Sequence, residues 1–438
     1  MCFNVYICKI ISKYALKMIL EIRLSNFFSI KDEIVLDLRA ANINTKKSQE
    51  LIDNTIPFDD YRVLKTIAIY GANASGKSNI IKAIRFCASM VFTSHTNNEN
   101  SIFAFKPFKF QGYPNKTSGF FIRFVSNGIE YEYSFSLTQK EIVTEELYYY
   151  PNGRRAKVFS RDERAGKSKN EIYSFTAVIK KPMDVAENTS VKSLFISRAS
   201  QMDREIGKEI FRFFNEKLIL GYKGFNTLST ELLLKDNKSS LLNALQIADS
   251  DITDIRQSKE TRQGKNLNAD FATNKASIED VVQQHLIIKT FHKSSPSIAF
   301  DFDTEESDGT KVLFYIMLTI LDIIKNDKIL LIDEIENSLH SKIVEYVVGM
   351  FHASSGAQLI YTTHNTNLLD LNKLRKDQIY FVNKKQDASS DLYSLFDYKD
   401  FRETMDVEKA YLQGRFDAIP YINDSISNLK ALLNEPAK

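Results

Sequence analysis

The stretch that most constrains this chain is Gly71–Asn79, which reads GANASGKSN. It fits the pattern G-x-x-x-x-G-K-[ST], between an apolar strand-like run, Thr66–Tyr70, and a helix-like segment that starts at Ile80. Glycines let backbone N–H groups approach phosphate oxygens, the helix N-terminus adds partial positive charge, and lysine adds a mobile cation. The sequence therefore predicts a phosphate-binding loop. Its candidate contacts are Gly71, Asn73, Ala74, Ser75, Gly76, Lys77, Ser78 and Asn79, with the Ser78 hydroxyl offered to Mg²⁺.

Composition narrows the class of protein without naming a partner. With 438 residues, 43% hydrophobic and 26% charged, the chain has room for two or three ordinary globular domains. The net charge of +3 gives no bulk attraction to nucleic acid, so any basic surface must be local. The three cysteines, Cys2, Cys8 and Cys87, lack metal-ligand spacing, and two of them lie in the N-terminal segment before Met18. We therefore expect no disulfide framework, which agrees with a reducing cytoplasm. No apolar run reaches the roughly 18 residues that span a membrane, so we expect no membrane partner.

The first half reads as mostly β-structure. Met1–Lys17 lacks the apolar core of a signal peptide, and strand-like alternation begins at Met18, so we expect the natural chain to start there. The preceding residues are then either a translated upstream stretch or a loosely packed extra helix. Ile19–Leu24 and Glu33–Leu38 predict a hairpin. Gly119–Leu137 and Glu141–Arg161 predict an antiparallel region with tight turns at Asn-Gly and Pro-Asn-Gly.

The middle of the chain reads differently. From Glu187 to about Lys289 the apolar spacing predicts helices, with Gln257–Lys275 a mobile connection between them. The stretch Arg154–Asn170 carries seven basic and two acidic residues. It is either a solvated hairpin tip or a contact for nucleic acid or a partner.

Two strands in the second half end in polar residues. Lys328–Ile332 is an apolar run typical of a central parallel strand, and it ends in Asp333 and Glu334. The carboxyl end of such a strand lies at the ligand crevice of an α/β sheet, where Asp333 would hold Mg²⁺ through water and Glu334 would polarise the attacking water. The next strand, Gln358–His364, ends in a histidine able to hydrogen-bond a phosphate or that water.

A second anion-binding turn precedes the acidic strand. Glu306–Thr310, with the sequence ESDGT, opens the apolar helix Val312–Ile324, and Ser307 and Gly309 lie at its N-terminus. One chain already has a complete phosphate loop. A second cradle on another element therefore suggests completion of a neighbour's site, although a plain helix cap would also account for Ser307.

Together these motifs resemble the ABC-type ATPase heads of SMC, RecF and OLD-family proteins. Glu306–Thr310 resembles the ABC signature, with Asp308 where the transporter consensus has glycine. Ile335–His340 resembles the D-loop, and His364 the switch histidine. Gln111 is the candidate for the Q-loop glutamine, a further ligand of the metal.

A narrower resemblance is to the bacterial AAA-fifteen group, which includes ATPase components of phage-defence systems such as PARIS and of abortive infection. It rests on Met18–Phe27, Glu334–His340 and Tyr411–Pro420. In the last motif, Asp417 stands where glycine is more usual. The resemblance covers essentially Met18 to Ile422.

The resemblance implies ATP and Mg²⁺ as cofactors, and a nucleotide-driven homodimer or higher homo-oligomer. In such a dimer, Ser307, Gly309 and Thr310 would contact the nucleotide held by the other chain. The implied fold is an α/β ABC-ATPase head with an antiparallel β subdomain and a helical insertion. The expected divisions are an extension (1–17), an N-terminal lobe (18–185), the helical insertion (186–290), a C-terminal lobe (291–400) and a helical tail (401–438).

Three classes of function are compatible with these motifs. The first is a regulatory ATPase that senses DNA or a phage protein and controls a separate effector, a nuclease or toxin. The second is a self-contained ATPase–nuclease of OLD type, although only 74 residues follow His364, too few for its nuclease domain. The third is a DNA-repair or chromosome-maintenance ATPase of RecF or SMC type, which ATP-stimulated duplex binding would favour.

Overall fold

The computed structural model describes residues 16–221, 227–248, 250–270, 275–337, 339–402 and 404–419. One antiparallel sheet contains β1 (Met18–Ser25), β2 (Ile34–Asp37), β6 (Ser118–Ser126), β7 (Ile129–Leu137), β8 (Ile142–Tyr150), β9 (Ala156–Asp162) and β10 (Tyr173–Phe175). Its order is β10-β9-β8-β7-β6-β1-β2.

Both predicted antiparallel regions are confirmed. At the β6–β7 turn, Asn127 and Gly128 have φ of 50° and 72°, as a tight hairpin turn requires. The expectation that the natural chain starts at Met18 stays a prediction, because residues 1–15 lie outside the described ranges.

A second sheet is almost entirely parallel. It contains β5 (Thr66–Gly71), β11 (Leu218–Leu220), β15 (Ile329–Ile332), β16 (Gln358–Thr362), β17 (Ile379–Lys384) and β18 (Ser390–Ser394). The order is β11-β15-β16-β5-β17-β18, and only β18 runs antiparallel to its neighbour. Every residue of β5, β15 and β16 is buried, which confirms a buried central strand before Asp333. The carboxyl ends of these three strands therefore lie side by side.

Helices cover both faces of the parallel sheet. The α-helices in the described ranges are α1 (Lys46–Glu50), α2 (Lys77–Thr93), α3 (Lys169–Ile172), α4 (Pro182–Glu187), α5 (Phe195–Gln201), α6 (Glu205–Arg212), α7 (Thr227–Ile247), α8 (Asp308–Lys325), α9 (Ser341–Ala353) and α10 (Val407–Leu412). Along β5, Ile67 and Ile69 enter a core shared with α2 and the antiparallel sheet. Ala68 and Tyr70 enter the opposite core with α8 and α9. Within the described ranges no helix is both long and apolar enough to cross a bilayer.

The predicted helical insertion is only partly correct. Helices α5 to α7 follow the prediction, but β12 (Ile252–Asp270) and β13 (Lys275–His292) form a long antiparallel hairpin that β14 (Ser295–Asp301) extends. The expected mobile connection is therefore wrong where it is described, because residues 257–270 belong to β12. β-branched residues such as Val282, Ile287, Ile288 and Thr290 favour a strand. Each strand pairs with the backbone hydrogen-bonding groups of the other. The spacing of apolar residues does not reveal this pairing. A shorter hairpin joins β3 (Thr55–Phe58) and β4 (Tyr61–Leu64).

The basic stretch Arg154–Asn170 uses part of its charge inside the fold. Arg161 is fully buried, pairs with Glu163 at 2.6 Å and lies 3.6 Å from the buried Glu145. Arg155 pairs with Glu132 at 2.7 Å and lies over the Tyr148 ring. These contacts favour the structural alternative for those two arginines and leave fewer cations to face a partner.

Candidate functional site

The predicted phosphate loop lies between β5 and α2, at the carboxyl end of the central strand. Gly76 has φ of 109° and Ala74 has φ of 60°, so the loop turns through the left-handed region that glycine adopts most readily. A Cβ on Gly71 would lie 2.5 Å from the carbonyl oxygen of Val382. Glycine at that position therefore allows the loop to sit tightly against β17.

The Lys77 side chain folds back into this loop. Its Nζ donates to the carbonyl oxygens of Gly71 at 2.8 Å and Ala72 at 3.0 Å. Burial lowers the pKa of Lys77, while the nearby charges of Glu334 and Asp333 oppose that shift. The ammonium thus lies against the loop carbonyls, and phosphate oxygens could replace those carbonyls as its acceptors.

Two serines outside the motif brace the loop, and sequence reasoning missed both. Ser390 on β18 donates to the carbonyl oxygen of Ser75 at 2.5 Å and lies 2.7 Å from the hydroxyl of Ser29. Ser29, in the turn between β1 and β2, accepts a bond from Asn79 Nδ2 at 2.7 Å. Isolated serines in turns and edge strands carry no pattern of their own, so only their spatial convergence identifies them. They attach the loop to both sheets.

The acidic turn begins directly after β15. Thr362 at the end of β16 donates to Asp333 Oδ1 at 2.6 Å. Glu334 is exposed and has φ of 53°, an uncommon conformation for a residue with a side chain that often marks a functional site. Both carboxylates lie near enough to Lys77 and His364 to influence their protonation.

His364 follows β16, which lies between the strand of the phosphate loop and the strand of the acidic turn. Its side chain is exposed, and its backbone N–H donates to Glu336 Oε1 at 2.5 Å. Desolvation of the ring and the charge of Lys77 lower the pKa of His364, against the opposing charge of Glu336. The imidazole is therefore largely neutral at neutral pH, able to donate or accept a hydrogen bond.

The residues of the second anion cradle stand apart from this group. Ser307 caps α8 by accepting from the Thr310 backbone N–H at 3.1 Å, and its hydroxyl lies 2.9 Å from that of Thr310. Ser307, Asp308 and Gly309 are exposed. Among the described residues, no hydrogen bond or ion pair joins this turn to the phosphate loop of its own chain. The turn is thus open to a second molecule.

Gln111 is not brought into the site by any contact in the described part of the chain. It is exposed and has φ of 57° in the turn before the short helical segment Tyr113–Asn115. Its role as a metal ligand stays a prediction.

The residues present fit a nucleotide phosphate with Mg²⁺. The Ser75 hydroxyl is buried and has no hydrogen-bond partner within the described ranges, although buried polar groups are normally paired. In the same ranges no cluster of three or more His, Cys, Asp or Glu residues could hold a metal by itself. Ser78 and Asp333 are two candidate oxygen ligands. Mg²⁺ is usually held by one or two protein oxygens together with substrate phosphates and water.

Comparisons with solved structures find SMC heads. A crystal structure of the SmcHead bound to the C-winged helix domain of ScpA is 18% identical, with 90% of this chain and 99% of that chain covered and a TM-score of 0.37. The SMC head domain from Thermotoga maritima is 14% identical over 86% and 98%, with a TM-score of 0.38. An Smc head with an extended coiled coil, bound to a ScpA domain derived from Pyrococcus furiosus, is 16% identical over 91% and 99%, with a TM-score of 0.37. No curated protein matches the chain.

The family comparison covers most of the residues described above. The model of the AAA_21 family, described as "AAA domain, putative AbiEii toxin, Type IV TA system", matches residues 67–370, more than half of the 438 residues. The matched range begins in β5 and includes the phosphate loop, the acidic turn and His364. It supports the broader expectation of an ABC-type, P-loop ATPase fold, while the AAA-fifteen grouping stays a prediction. With its phosphate loop on a central parallel strand, this chain belongs to the AAA_21 family of AAA-domain proteins.

Proposed function

We propose that this protein binds ATP with Mg²⁺ and hydrolyses it as a nucleotide-driven homodimer. The observation that carries the proposal is the position of Lys77, whose ammonium lies in the loop mouth and is influenced by the charges of Glu334, Asp333 and Glu336. A cation beside a phosphate cradle, with carboxylates in the turn after β15 at the same edge of the sheet, is the arrangement that phosphoryl transfer to water needs.

Each residue has a chemical role in this proposal. Backbone N–H groups of the loop and Lys77 bind the outer phosphates, and Ser78 and Asp333 would hold Mg²⁺. When bound, the ion supplies positive charge that offsets the charge of the phosphates. Glu334 accepts a proton from the attacking water, and His364 orients that water or the terminal phosphate by a hydrogen bond.

Replacing Lys77 tests the site. In Lys77→Ala we expect hydrolysis to be abolished and ATP affinity to fall, because the cation beside the outer phosphates is removed. Lys82→Ala is the matched control, since Lys82 is exposed on the same helix. Phosphate release and titration with a fluorescent ATP analogue measure the two effects. Hydrolysis by Lys77→Ala at the wild-type rate would contradict the proposal.

The dimer is supported by the exposed turn at Ser307, which is open to a second molecule. In Ser307→Arg we expect nearly intact ATP binding but no hydrolysis, because a bulky cation would repel the positive helix N-terminus and block the partner's phosphate. Ser168→Arg, at the exposed N-cap of α3, is the control. Mixing Ser307→Arg with Lys77→Ala creates dimers with one intact composite site, so activity should return where one site suffices. Normal hydrolysis by Ser307→Arg alone would exclude this role.

We further propose that the ATPase regulates a separate effector in an anti-phage defence system. The family description names a toxin of a toxin–antitoxin system, and the sequence resembles abortive-infection ATPases. Expression with and without the product of a neighbouring gene, scored by growth and phage plating, tests this part. Growth arrest caused by this chain alone would place the toxic activity here and contradict a separate effector.

A further inference from the structure

The acidic turn after β15 is held by one buried threonine. Thr362 Oγ1 donates to Asp333 Oδ1 at 2.6 Å, and the Glu334 backbone N–H donates to the same Oγ1 at 2.7 Å. The next residue, Ile335, donates its backbone N–H to the Thr362 carbonyl oxygen at 3.1 Å. Three successive residues of the turn thus contact one residue of the neighbouring strand.

The chemistry of the groups sets the direction of these bonds. An ionised carboxylate only accepts and a backbone N–H only donates, so the hydroxyl must give its single proton to Asp333 while accepting from Glu334. Thr362 is fully buried, so its hydroxyl does not contact bulk water and is used within the turn. Asp333 Oδ2 forms no hydrogen bond within the described ranges, and it stays available to an ion.

The same contact holds the strained backbone of Glu334. Its φ of 53° is costly for a residue with a side chain. The bond from its N–H to Thr362 and the bond from Asn337 N–H to its carbonyl oxygen, 2.9 Å long, hold the peptide on both sides. A single hydroxyl therefore orients one carboxylate directly and the other through its backbone.

A second contact ties the turn to the histidine. Glu336 Oε2 accepts from the Thr363 hydroxyl at 2.8 Å, and Oε1 accepts from the His364 backbone N–H at 2.5 Å. Both carboxylate oxygens are thus used to hold the end of β16 against the acidic turn.

We infer that Thr362 and Glu336 are positioning residues for ATP hydrolysis, an inference that rests on the proposed function. Thr362 aligns the Mg²⁺ ligand Asp333 with the base Glu334. Glu336 fixes the backbone of His364 relative to both carboxylates. Neither side chain needs to touch the nucleotide, because each acts through a residue that would hold Mg²⁺, the attacking water or the terminal phosphate.

The variants Thr362→Val and Thr362→Ser test the positioning role of Thr362. Valine keeps the volume and removes the hydroxyl, whereas serine keeps the hydroxyl. We expect Thr362→Val to lower kcat by about 10–100-fold, the usual effect of losing a group that orients a metal ligand, with little change in KM. The Mg²⁺ concentration for half-maximal binding of a fluorescent ATP analogue should rise similarly, while binding in EDTA stays unchanged. Thr362→Ser should restore both values, and Thr319→Val removes another largely buried hydroxyl, on α8, as a control.

Two results would overturn the positioning role of Thr362. One is Thr362→Val with wild-type kcat and Mg²⁺ dependence. The other is an equal loss in Thr362→Val and Thr362→Ser with a lowered unfolding midpoint, which would make the residue merely structural. Failure of the underlying proposal looks different, because the wild-type protein would then not hydrolyse ATP.

A double-mutant cycle tests Glu336. Glutamine has one acceptor oxygen, so Glu336→Gln cannot accept both bonds, and we expect kcat to fall by about 10-fold. In a His364→Ala background the same change should have no further effect, because Glu336 acts through that histidine. Additive losses, or wild-type kcat in the single variant, would remove Glu336 from the inference.

Discussion

The two ends of the parallel sheet carry similar polar residues and use them in opposite ways. At the amino end, Gln378 Nε2 donates to the Thr66 hydroxyl at 2.6 Å, and that hydroxyl lies 2.9 Å from Nε2 of His352. Gln378 also accepts from Asn54 at 2.8 Å, and Gln358 bonds both the N–H and the carbonyl oxygen of Ile19. These amide and hydroxyl groups are buried and paired with one another, and they hold adjacent strands together.

At the carboxyl end several polar groups are left available. Asn73, Glu334 and His364 are exposed, the Ser75 hydroxyl is unpaired among the described residues, and Glu334 is strained. Ligands bind α/β sheets at this end. The difference teaches that paired polar groups at one end stabilise the sheet, while unpaired ones at the other end are available to the nucleotide proposed above. Variants at the carboxyl end should change activity, and variants at the amino end should change stability.

Glu334→Gln should give the largest effect and should change activity alone. Loss of a general base typically slows a reaction by about 10²–10⁴-fold, while ATP still binds because Asp333 and Lys77 remain. ATP-bound dimers should accumulate, and light scattering with a phosphate-release assay measures both outcomes. The thermal unfolding midpoint should not fall. Glu345→Gln, on α9, is the control. Normal turnover with unchanged assembly would exclude Glu334 as the base.

Protonation of His352 should give the next largest effect, a loss of stability that occurs only in acid. Burial and the charge of Lys65 lower the pKa of His352 to about 4. In the unfolded chain this histidine takes up a proton near pH 6.5, its ordinary pKa, whereas in the folded chain it does so only near pH 4. Between these values the unfolded state binds more protons, and the free energy of unfolding falls as pH falls, by roughly 3 kcal/mol at pH 4.

The variant His352→Gln should lack this component of the pH dependence. Urea denaturation of both proteins at pH 7, 6, 5 and 4, values chosen to bracket the two pKa values, measures it. His285→Gln, at an exposed histidine, is the control. Equal pH dependence in wild type and His352→Gln would contradict a half-buried, neutral histidine at the amino end.

Asp417→Gly should give the smallest effect and tests whether strain is linked to function. Asp417 has φ of 50°, close to the 53° of Glu334, but it lies in the turn after α10. Glycine adopts this conformation without steric cost, so the free energy of unfolding should rise by about 0.5–1 kcal/mol. ATP hydrolysis should not change. A loss of hydrolysis would show that strain outside the carboxyl end also serves the site.

Much of the site could be predicted from the sequence because its signals are local. The phosphate loop, the acidic turn, His364 and Ser307 each occupy the end of one strand or helix, which apolar periodicity locates. The usual glycine in place of Asp417 likewise agrees with its positive φ. The order of the strands could not be predicted, since β16 pairs with β5 across nearly three hundred residues of chain.

The sequence by itself determined the chemical groups at the ends of β5, β15 and β16. In each case an apolar strand and the polar residues that follow it are consecutive in the chain, so a local pattern is enough to locate them. Only the tertiary structure decided that β12 and β13 form a hairpin, that Ser29 and Ser390 brace the phosphate loop, and that Thr362 and Glu336 hold the acidic turn. These contacts join residues distant in sequence. A hydrogen bond between them depends on how strands pair and helices pack, which no local pattern of side chains encodes.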